Sequence, residues 1–131
     1  MTEPIVVALP TADRAVTFAF YESGLGFRAV GEPDGDGIPE PLQFELNEGV
    51  RLMFIPPGGF GWVTGGRETA GVDQSECLLS MTLPDQAAVR DLVERARGAG
   101  AEIVAEPADQ MWGFTAVFAD PDGHAWQLRS L

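Results

Sequence analysis

The sequence repeats itself at an offset of 74 residues, and this repeat limits what the chain can fold into. Without gaps, nine residues of the first half meet identical residues of the second half, whereas chance would supply about three in a window of this length. We therefore interpret the chain as two copies of one structural unit. The matched pairs are Leu9–Leu83, Pro10–Pro84, Gly24–Gly98, Gly26–Gly100, Val30–Val104, Glu32–Glu106, Pro33–Pro107, Phe44–Phe118 and Gly49–Gly123.

Each copy begins with a predicted strand and a predicted helix. The strands are Ile5 to Leu9 and Cys77 to Leu83. The first helix has Thr11 or Asp13 as its N-cap and ends near Gly24 and Gly26. The second helix is capped by Asp85 and ends near Gly98 and Gly100, with an apolar stripe at helical spacing. The stripe consists of Val89, Leu92, Val93 and Ala96.

Three further strands are predicted after each helix, and the last two of each copy are joined by a tight turn. The turns contain Gly49 and Gly123. The strands are Phe27 to Gly31, Leu42 to Leu46 and Val50 to Ile55 in the first copy, and Glu102 to Glu106, Phe114 to Ala119 and Ala125 to Arg129 in the second.

The unit is therefore βαβββ, with one helix covering one face of the sheet. Two such units predict an α+β fold in which tandem modules form a curved, mixed, eight-stranded sheet with a concave cleft and helices on the convex side. We expect one domain over residues 1–131, with a first module at about 5–56, a Gly-rich linker at 57–75 and a second module at about 76–131. The linker also carries Phe60 and Trp62, so it is either a mobile lid or a plain connection with both aromatics packed down.

The charge of the chain argues against several classes of partner. Asp and Glu number 20 against eight basic residues, all of them Arg, for a net charge of -12. A chain this acidic repels nucleic acid and anionic lipid, so neither is expected as a partner. The single cysteine, Cys77, permits no internal disulfide, and we expect a buried thiol. With no secretory signal and no membrane-spanning apolar run, we expect a cytoplasmic protein without membrane contact.

Three features together resemble one known family. They are the βαβββ duplication, the pair Phe20-Tyr21 followed by Leu25-Gly26-Phe27, and the segment Phe118-Ala119-Asp120-Pro121-Asp122-Gly123-His124-Ala125-Trp126-Gln127-Leu128. The resemblance is to the vicinal oxygen chelate superfamily, which includes glyoxalase I, bleomycin-resistance proteins and extradiol dioxygenases, and it covers nearly the whole chain. Met111-Trp112-Gly113 also resembles a subset of small glyoxalase-like members.

The resemblance implies one divalent metal, held by His, Gln or Glu from the first and last strands of each copy. Those positions fall on Val6, Ser80, Met53 and Gln127, of which only Gln127 is a ligand of this kind. The one histidine, His124, follows the second hairpin turn, where we expect a surface side chain beside solvated carboxylates. Asp120 and Asp122 are expected to cap the backbone amides of that turn. We therefore expect no divalent metal and no other cofactor.

Strand alternation predicts which side chains line the cleft. If Gln127 points inward, Arg129 does so too, and the first copy contributes matching positions on its last strand. Trp126 points the other way, into the core. Three aromatic residues are expected to close the site, although Trp112 can equally be core. The candidate ligand-binding residues are Arg51, Met53, Ile55, Phe60, Trp62, Trp112, Gln127 and Arg129.

Two functions of different class follow. The first is a metal-free protein, similar to the bleomycin-resistance branch, that binds an aromatic or cationic organic compound in the cleft without a catalytic residue. The alternative is a metal-dependent lyase, isomerase or dioxygenase of the same superfamily with an atypical site. The resemblance also implies a homodimer.

Overall fold

The computed structural model describes residues 2–130 of the 131-residue chain. The chain divides into two compact units, one ending at Thr69 and the other beginning at Ala70. Each unit contains one βαβββ module, as the repeat predicts.

The first module forms a mixed sheet of four strands in the order β1-β4-β3-β2. The pair β1–β4, at one edge of the sheet, is parallel, and the other two pairs are antiparallel. A helix that the sequence did not predict, α2, follows β4 directly. The elements are β1 (Ile5–Pro10), α1 (Arg14–Phe18), a π-helical turn (Ala19–Gly24), β2 (Arg28–Ala29), β3 (Leu42–Asn47), β4 (Val50–Ile55) and α2 (Pro57–Val63).

The second module has the same topology, with strand order β5-β8-β7-β6 and a parallel β5–β8 pair. Its elements are β5 (Leu78–Leu83), α3 (Gln86–Gly98), β6 (Glu102–Gln110), β7 (Gly113–Ala119) and β8 (Ala125–Ser130). The α+β fold of tandem βαβββ modules is therefore confirmed. In the described residues, the backbone hydrogen bonds join the strands into two sheets of four.

Helices α1 and α3 begin directly after the predicted aspartates, Asp13 and Asp85. Asp13 accepts hydrogen bonds from the backbone amides of Ala15 and Val16, and Asp85 accepts one from Ala88. Each carboxylate thereby satisfies amides that have no partner within the helix. Thr11, the other candidate for the first cap, is buried, and its hydroxyl lies 2.6 Å from that of Thr17.

The two helices differ in length and in winding. The first has 5 α-helical residues followed by a 6-residue π turn, whereas α3 has 13 residues in regular α-helix. As a result, Asp85 follows Asp13 by 72 residues, while Gly100 follows Gly26 by 74. The strand register shows the same two-residue difference, because Ala8 pairs with Met53 as Ser80 pairs with Gln127. The two first-strand positions predicted from the repeat, Val6 and Ser80, are therefore not counterparts, because the register matches Ser80 with Ala8.

Each module buries its core between the sheet and its own helix. In the first module Tyr21 is fully buried, and its ring lies 4.9 Å from that of Phe54 and 5.6 Å from that of Phe44. In the second, Val89, Val93 and Ala96 of α3 are buried as predicted. Trp126 stacks on Phe118 at 6.3 Å and is 2% exposed, which confirms that it belongs to the core. Such aromatic contacts supply much of the burial energy of a small module.

One prediction for a single side chain is wrong. Cys77 is exposed rather than buried, because β5 begins one residue later and a bend precedes it. Trp62 lies on α2 and is 84% exposed, so the alternative in which both linker aromatics are packed down does not hold for it. Among residues 2–130, no helix is long and apolar enough to cross a membrane.

Candidate functional site

Each sheet has a second face, turned away from the helix that covers its core, which is α1 with its π turn in the first module and α3 in the second. We call it the helix-free face. In the first module the predicted residues Arg51, Met53 and Ile55 occupy this face of β4 and are half-buried. The alternate residues, Leu52 and Phe54, are buried beneath the helix. Strand alternation thus places these three side chains together as predicted.

Neighbouring strands complete the first helix-free face. Met53 stands between Ala8 of β1 and Gln43 of β3, so the middle of this face is small or apolar with one amide. Arg51 stands opposite Glu45, whose carboxylate also lies 3.1 Å from the guanidinium of Arg28. This face therefore carries two arginines and one glutamate, and the glutamate is paired with Arg28.

Helix α2 lies against the end of β4. A Cβ atom added at Gly59 would come within 3.1 Å of the Ile55 side chain, so the helix backbone passes close to that residue. Phe60 is half-buried on α2, whereas Trp62 points outward into solvent. Only Phe60 of this aromatic pair is therefore held by packing within the first unit.

In the second module, the predicted residues Gln127 and Arg129 occupy the helix-free face of β8. Gln127 is half-buried, and its side-chain oxygen accepts a hydrogen bond from the Ser80 hydroxyl at 3.1 Å. Thr115 of β7 stands opposite Arg129 and is buried. This face therefore carries hydroxyl and amide groups where the first face carries Ala8 and Met53.

The structure also brings Trp112 to Arg129. Trp112 lies in the turn between β6 and β7, and its backbone carbonyl accepts a hydrogen bond from Nε of Arg129 at 3.2 Å. The indole is 55% exposed, which shows that Trp112 is not a core residue. A half-exposed indole beside a fixed guanidinium presents both a flat apolar surface and a positive charge.

The strand positions that the family resemblance assigns to a metal do not fit one. In the first module they carry the isopropyl group of Val6, or the methyl group of Ala8 if the observed register is followed, and the thioether of Met53. In the second they carry the hydroxyl of Ser80 and the amide of Gln127. Divalent transition metals in proteins are held mainly by imidazole, thiolate or carboxylate. The Gln127 oxygen is, in addition, already hydrogen-bonded to Ser80.

Within the described part of the chain, one group of side chains has the donor types that metals prefer. The ligand atoms of Asp120, Asp122 and His124 all lie within 4.8 Å of one another. Asp120 is buried rather than solvated, and its Oδ1 accepts hydrogen bonds of 2.9 Å from the backbone amides of Asp122 and His124. Asp120 thus caps the turn as predicted. The expectation of no divalent metal stays a prediction, and this cluster is the observation that weighs against it.

A groove that the sequence analysis missed lies along the β2 edge of the first module. Its volume is about 480 Å³. Its walls come from the end of the first helix, from the β2 segment and from the loop of residues 30–41. The signal that could have drawn attention to it is the run of glycine, proline and acidic residues in that loop, which predicts irregular backbone but not a groove.

A family model described as Glyoxalase/Bleomycin resistance protein/Dioxygenase superfamily matches residues 5–128. No protein with a curated description matches the sequence.

Several solved structures share the fold along the whole chain. A hypothetical protein from S. aureus is 21% identical, with a TM-score of 0.83, over 100% of this chain and 95% of that one. A glyoxalase-related enzyme from Fulvimarina pelagi is 23% identical, with a TM-score of 0.84, over 100% and 89%. An antibiotic binding protein from Streptomyces is 21% identical, with a TM-score of 0.67, over 99% and 96%. At these identities the likeness shows the fold alone.

Proposed function

We propose that this chain, which belongs to the Glyoxalase/Bleomycin resistance protein/Dioxygenase superfamily, is a metal-free small-molecule-binding protein. Its ligand is an aromatic or cationic organic compound, and the helix-free face of each module is a candidate surface for it. No residue is assigned a catalytic role. The family match covers both modules. A structural neighbour named as an antibiotic binding protein is consistent with a function that consists of binding a ligand without a reaction.

The observation that carries this proposal is the chemistry at the strand positions of the superfamily's metal. Ala8 and Met53 offer no oxygen or nitrogen ligand, and Ser80 and Gln127 satisfy each other through their hydrogen bond. A metal held there would have to replace this bond with two weak neutral ligands. These side chains are better suited to packing against an organic molecule and giving it one or two hydrogen bonds.

The side chains around these positions suit a flat ligand. In the first module Met53 and Ile55 supply flexible apolar surface. In the second module Trp112 supplies an indole whose exposed face can stack. Arg129 fixes the backbone of Trp112, so less conformational freedom is lost when a ligand stacks there. The net charge of -12 favours a cationic compound over an anionic one.

Titration with proflavine, a planar aromatic cation, in the presence of EDTA tests the proposal. We expect saturable binding that EDTA does not change, and a loss of about three- to tenfold in affinity in Trp112→Ala. Met111→Ala is the matched control, because Met111 is the adjacent residue in the same turn, is 99% exposed and is not assigned to the site. Equal affinities of the two variants, or binding that requires added metal, would contradict the proposal.

The alternative, a metal-dependent enzyme with an atypical site, has one structural observation in its favour, the Asp120–Asp122–His124 cluster. A metal there would have to coexist with the two amide hydrogen bonds of Asp120. Titration with Ni²⁺ separates the two functions. The alternative predicts a metal stoichiometry near one that Asp122→Asn abolishes, whereas the proposal predicts no tight Ni²⁺ binding.

The proposal includes a cytoplasmic homodimer, as the resemblance implies. The apolar side chains of Ile5 and Val6 on β1, and of Leu78 on β5, are about half exposed and would be covered by a second copy. Multi-angle light scattering is expected to give twice the chain mass of 14.0 kDa, and a monomeric mass would contradict this part.

A further inference from the structure

We propose a second ligand site, the groove along the β2 edge of the first module, which binds a small organic cation with an apolar body. None of the eight candidate residues, which lie on the helix-free faces, on α2 and in the β6–β7 turn, lines this groove. Its volume of about 480 Å³ lies within the range of small-molecule sites. This inference stands independently of the proposed function, because it uses different side chains and a different edge of the molecule.

The wall on the helix side is fixed by the core. Phe18 stacks on the fully buried Phe44 with ring centroids 6.4 Å apart. The π turn then buries both Phe20 and Tyr21 and leaves Glu22, which also lines the groove, exposed. Single π-helical turns within α-helices are frequent at functional sites. Here the turn places a carboxylate at a groove with an aromatic wall.

The opposite wall is the 30–41 loop, and Arg14 of α1 holds it in place. One guanidinium nitrogen of Arg14 lies 3.1 Å from the carboxylate of Asp36, and the other donates to the carbonyl of Pro39 at 2.7 Å and lies 3.2 Å from Glu40. Ile38 of the same loop is buried. The loop is thus anchored on both sides of Ile38, although most of its residues face solvent. A ligand entering the groove does not have to order this wall, and a preformed site binds more tightly for that reason.

The lining determines the class of ligand. Apolar surface comes from the half-buried rings of Phe18 and Phe27 and from Pro33 and Pro39. Two charged residues line the groove, and they are not equivalent. The guanidinium of Arg28 is paired with Glu45 at 3.1 Å.

Glu22, by contrast, lies beyond salt-bridge distance of every arginine and histidine in residues 2–130. Among the described residues, the hydrogen bond that its carboxylate accepts is a long one, 3.4 Å, from the Ser23 hydroxyl. The groove therefore offers one uncompensated carboxylate beside two aromatic rings. That combination attracts a cation both by charge and through the ring faces, and it disfavours an anion.

Benzyltrimethylammonium is a suitable probe, because its charge does not depend on pH and its aromatic ring matches the apolar lining. Titration of the uniformly ¹⁵N-labelled full chain, followed by amide chemical shifts, is expected to show saturable changes confined to residues 18–39. Benzyl alcohol, which has the ring without the charge, is expected to bind at least about threefold more weakly.

Two substitutions distinguish the effect of the Glu22 carboxylate from the effect of the net charge of the chain. Glu22→Gln keeps the shape of the side chain and is expected to weaken binding of the probe about three- to tenfold. Glu48→Gln is the matched control, since Glu48 is an exposed glutamate in the β3–β4 turn of the same module and does not line the groove. It is expected to change the affinity by less than about 1.5-fold, which is the effect of lowering the net charge alone.

Three results would overturn the second site. They are equal affinities of Glu22→Gln and Glu48→Gln, equal affinities for the alcohol and the cation, and shift changes concentrated in residues 50–55 or 125–130. The last result would assign the cation to the helix-free faces and so support the proposed function instead. Conversely, equal proflavine affinities of Trp112→Ala and Met111→Ala would contradict the proposed function and leave the groove result unaffected.

Discussion

The two modules share one backbone plan but differ in the side chains they present. In the first, the positions opposite each other on the first and last strands are Ala8 and Met53, whereas the second has Ser80 hydrogen-bonded to Gln127. The first module has a π turn, a two-residue β2 and an anchored loop; the second has a regular helix and a nine-residue β6. Aspartate caps and buried aromatic residues therefore maintain the fold in both copies, while the helix-free faces carry different side chains.

The largest predicted effect tests whether the two cores are equivalent. Phe44 and Phe118 are repeat partners, and each is fully buried. We expect Phe44→Ala and Phe118→Ala each to lower the free energy of unfolding by about 3–5 kcal/mol, because each leaves a cavity among packed rings. Urea unfolding followed by circular dichroism measures this, with the half-buried Phe60→Ala as a milder control. If only one of Phe44→Ala and Phe118→Ala lowered the free energy of unfolding by less than about 1 kcal/mol, the two cores would not be equivalent.

The hairpin turns provide the next comparison, in which the repeat partners differ. Gly123 has a φ of +89°, and a Cβ atom there would collide with the backbone of Val72. Gly49 has no positive φ, and its added Cβ would make only an ordinary contact, 3.6 Å from the Asn47 side chain. We expect Gly123→Ala to cost about 1–3 kcal/mol and Gly49→Ala less than about 0.5 kcal/mol in chemical unfolding. Equal costs would show that the two turns are interchangeable.

The N-caps are expected to behave alike. Asp13→Ala and Asp85→Ala each remove a carboxylate that accepts backbone amides at the start of a helix. Each should lower stability by about 1 kcal/mol, which thermal or urea unfolding can resolve. Asp→Asn at the same positions serves as the control, because asparagine also caps and should recover most of the loss. A loss that asparagine does not reduce would indicate a charge effect instead of capping.

The smallest predicted effect concerns the loop found in the first module only. The backbone amide of Ile38, followed by the guanidinium of Arg14, holds the pKa of Asp36 below its usual value. Because this pKa is lowered on folding, the loop anchor contributes at neutral pH and is lost as the pH falls through the lowered pKa.

The amide resonance of Ile38, followed by NMR as the pH is lowered, is therefore expected to move with a midpoint below that of an ordinary aspartate. Asp36→Asn should abolish this movement without unfolding the module. A midpoint at the ordinary value would contradict the anchor. The second module has strand β6 in the corresponding stretch, so the comparison predicts no equivalent titration there.

The parts of the fold that the sequence predicted are those set by local chemistry. Asp13 and Asp85 cap because a short carboxylate reaches the free amides of the first turn, and Val50–Ile55 alternates because one of its faces is buried. The lining of β4 and β8 followed from the same alternation. These features need only neighbouring residues, and a single sequence contains them.

The features that were missed depend on differences between the copies or on tertiary packing. An ungapped offset cannot reveal that the first helix is two residues shorter, so Val6 was matched with Ser80, whereas the register matches Ala8 with Ser80. Helix α2 contains Gly58, Gly59 and Gly61, which are poor helix formers, and only Pro57 at its start favours it. The groove arises from the anchoring of a loop by Arg14, a contact between residues more than 20 positions apart.

Native mass spectrometry combined with elemental analysis of the purified protein decides whether the chain binds an organic ligand without a metal. We expect less than about 0.1 divalent metal per chain, and a proflavine complex of the same stoichiometry with and without EDTA. A metal present at about one per chain, whose removal by EDTA abolishes the complex, would contradict it.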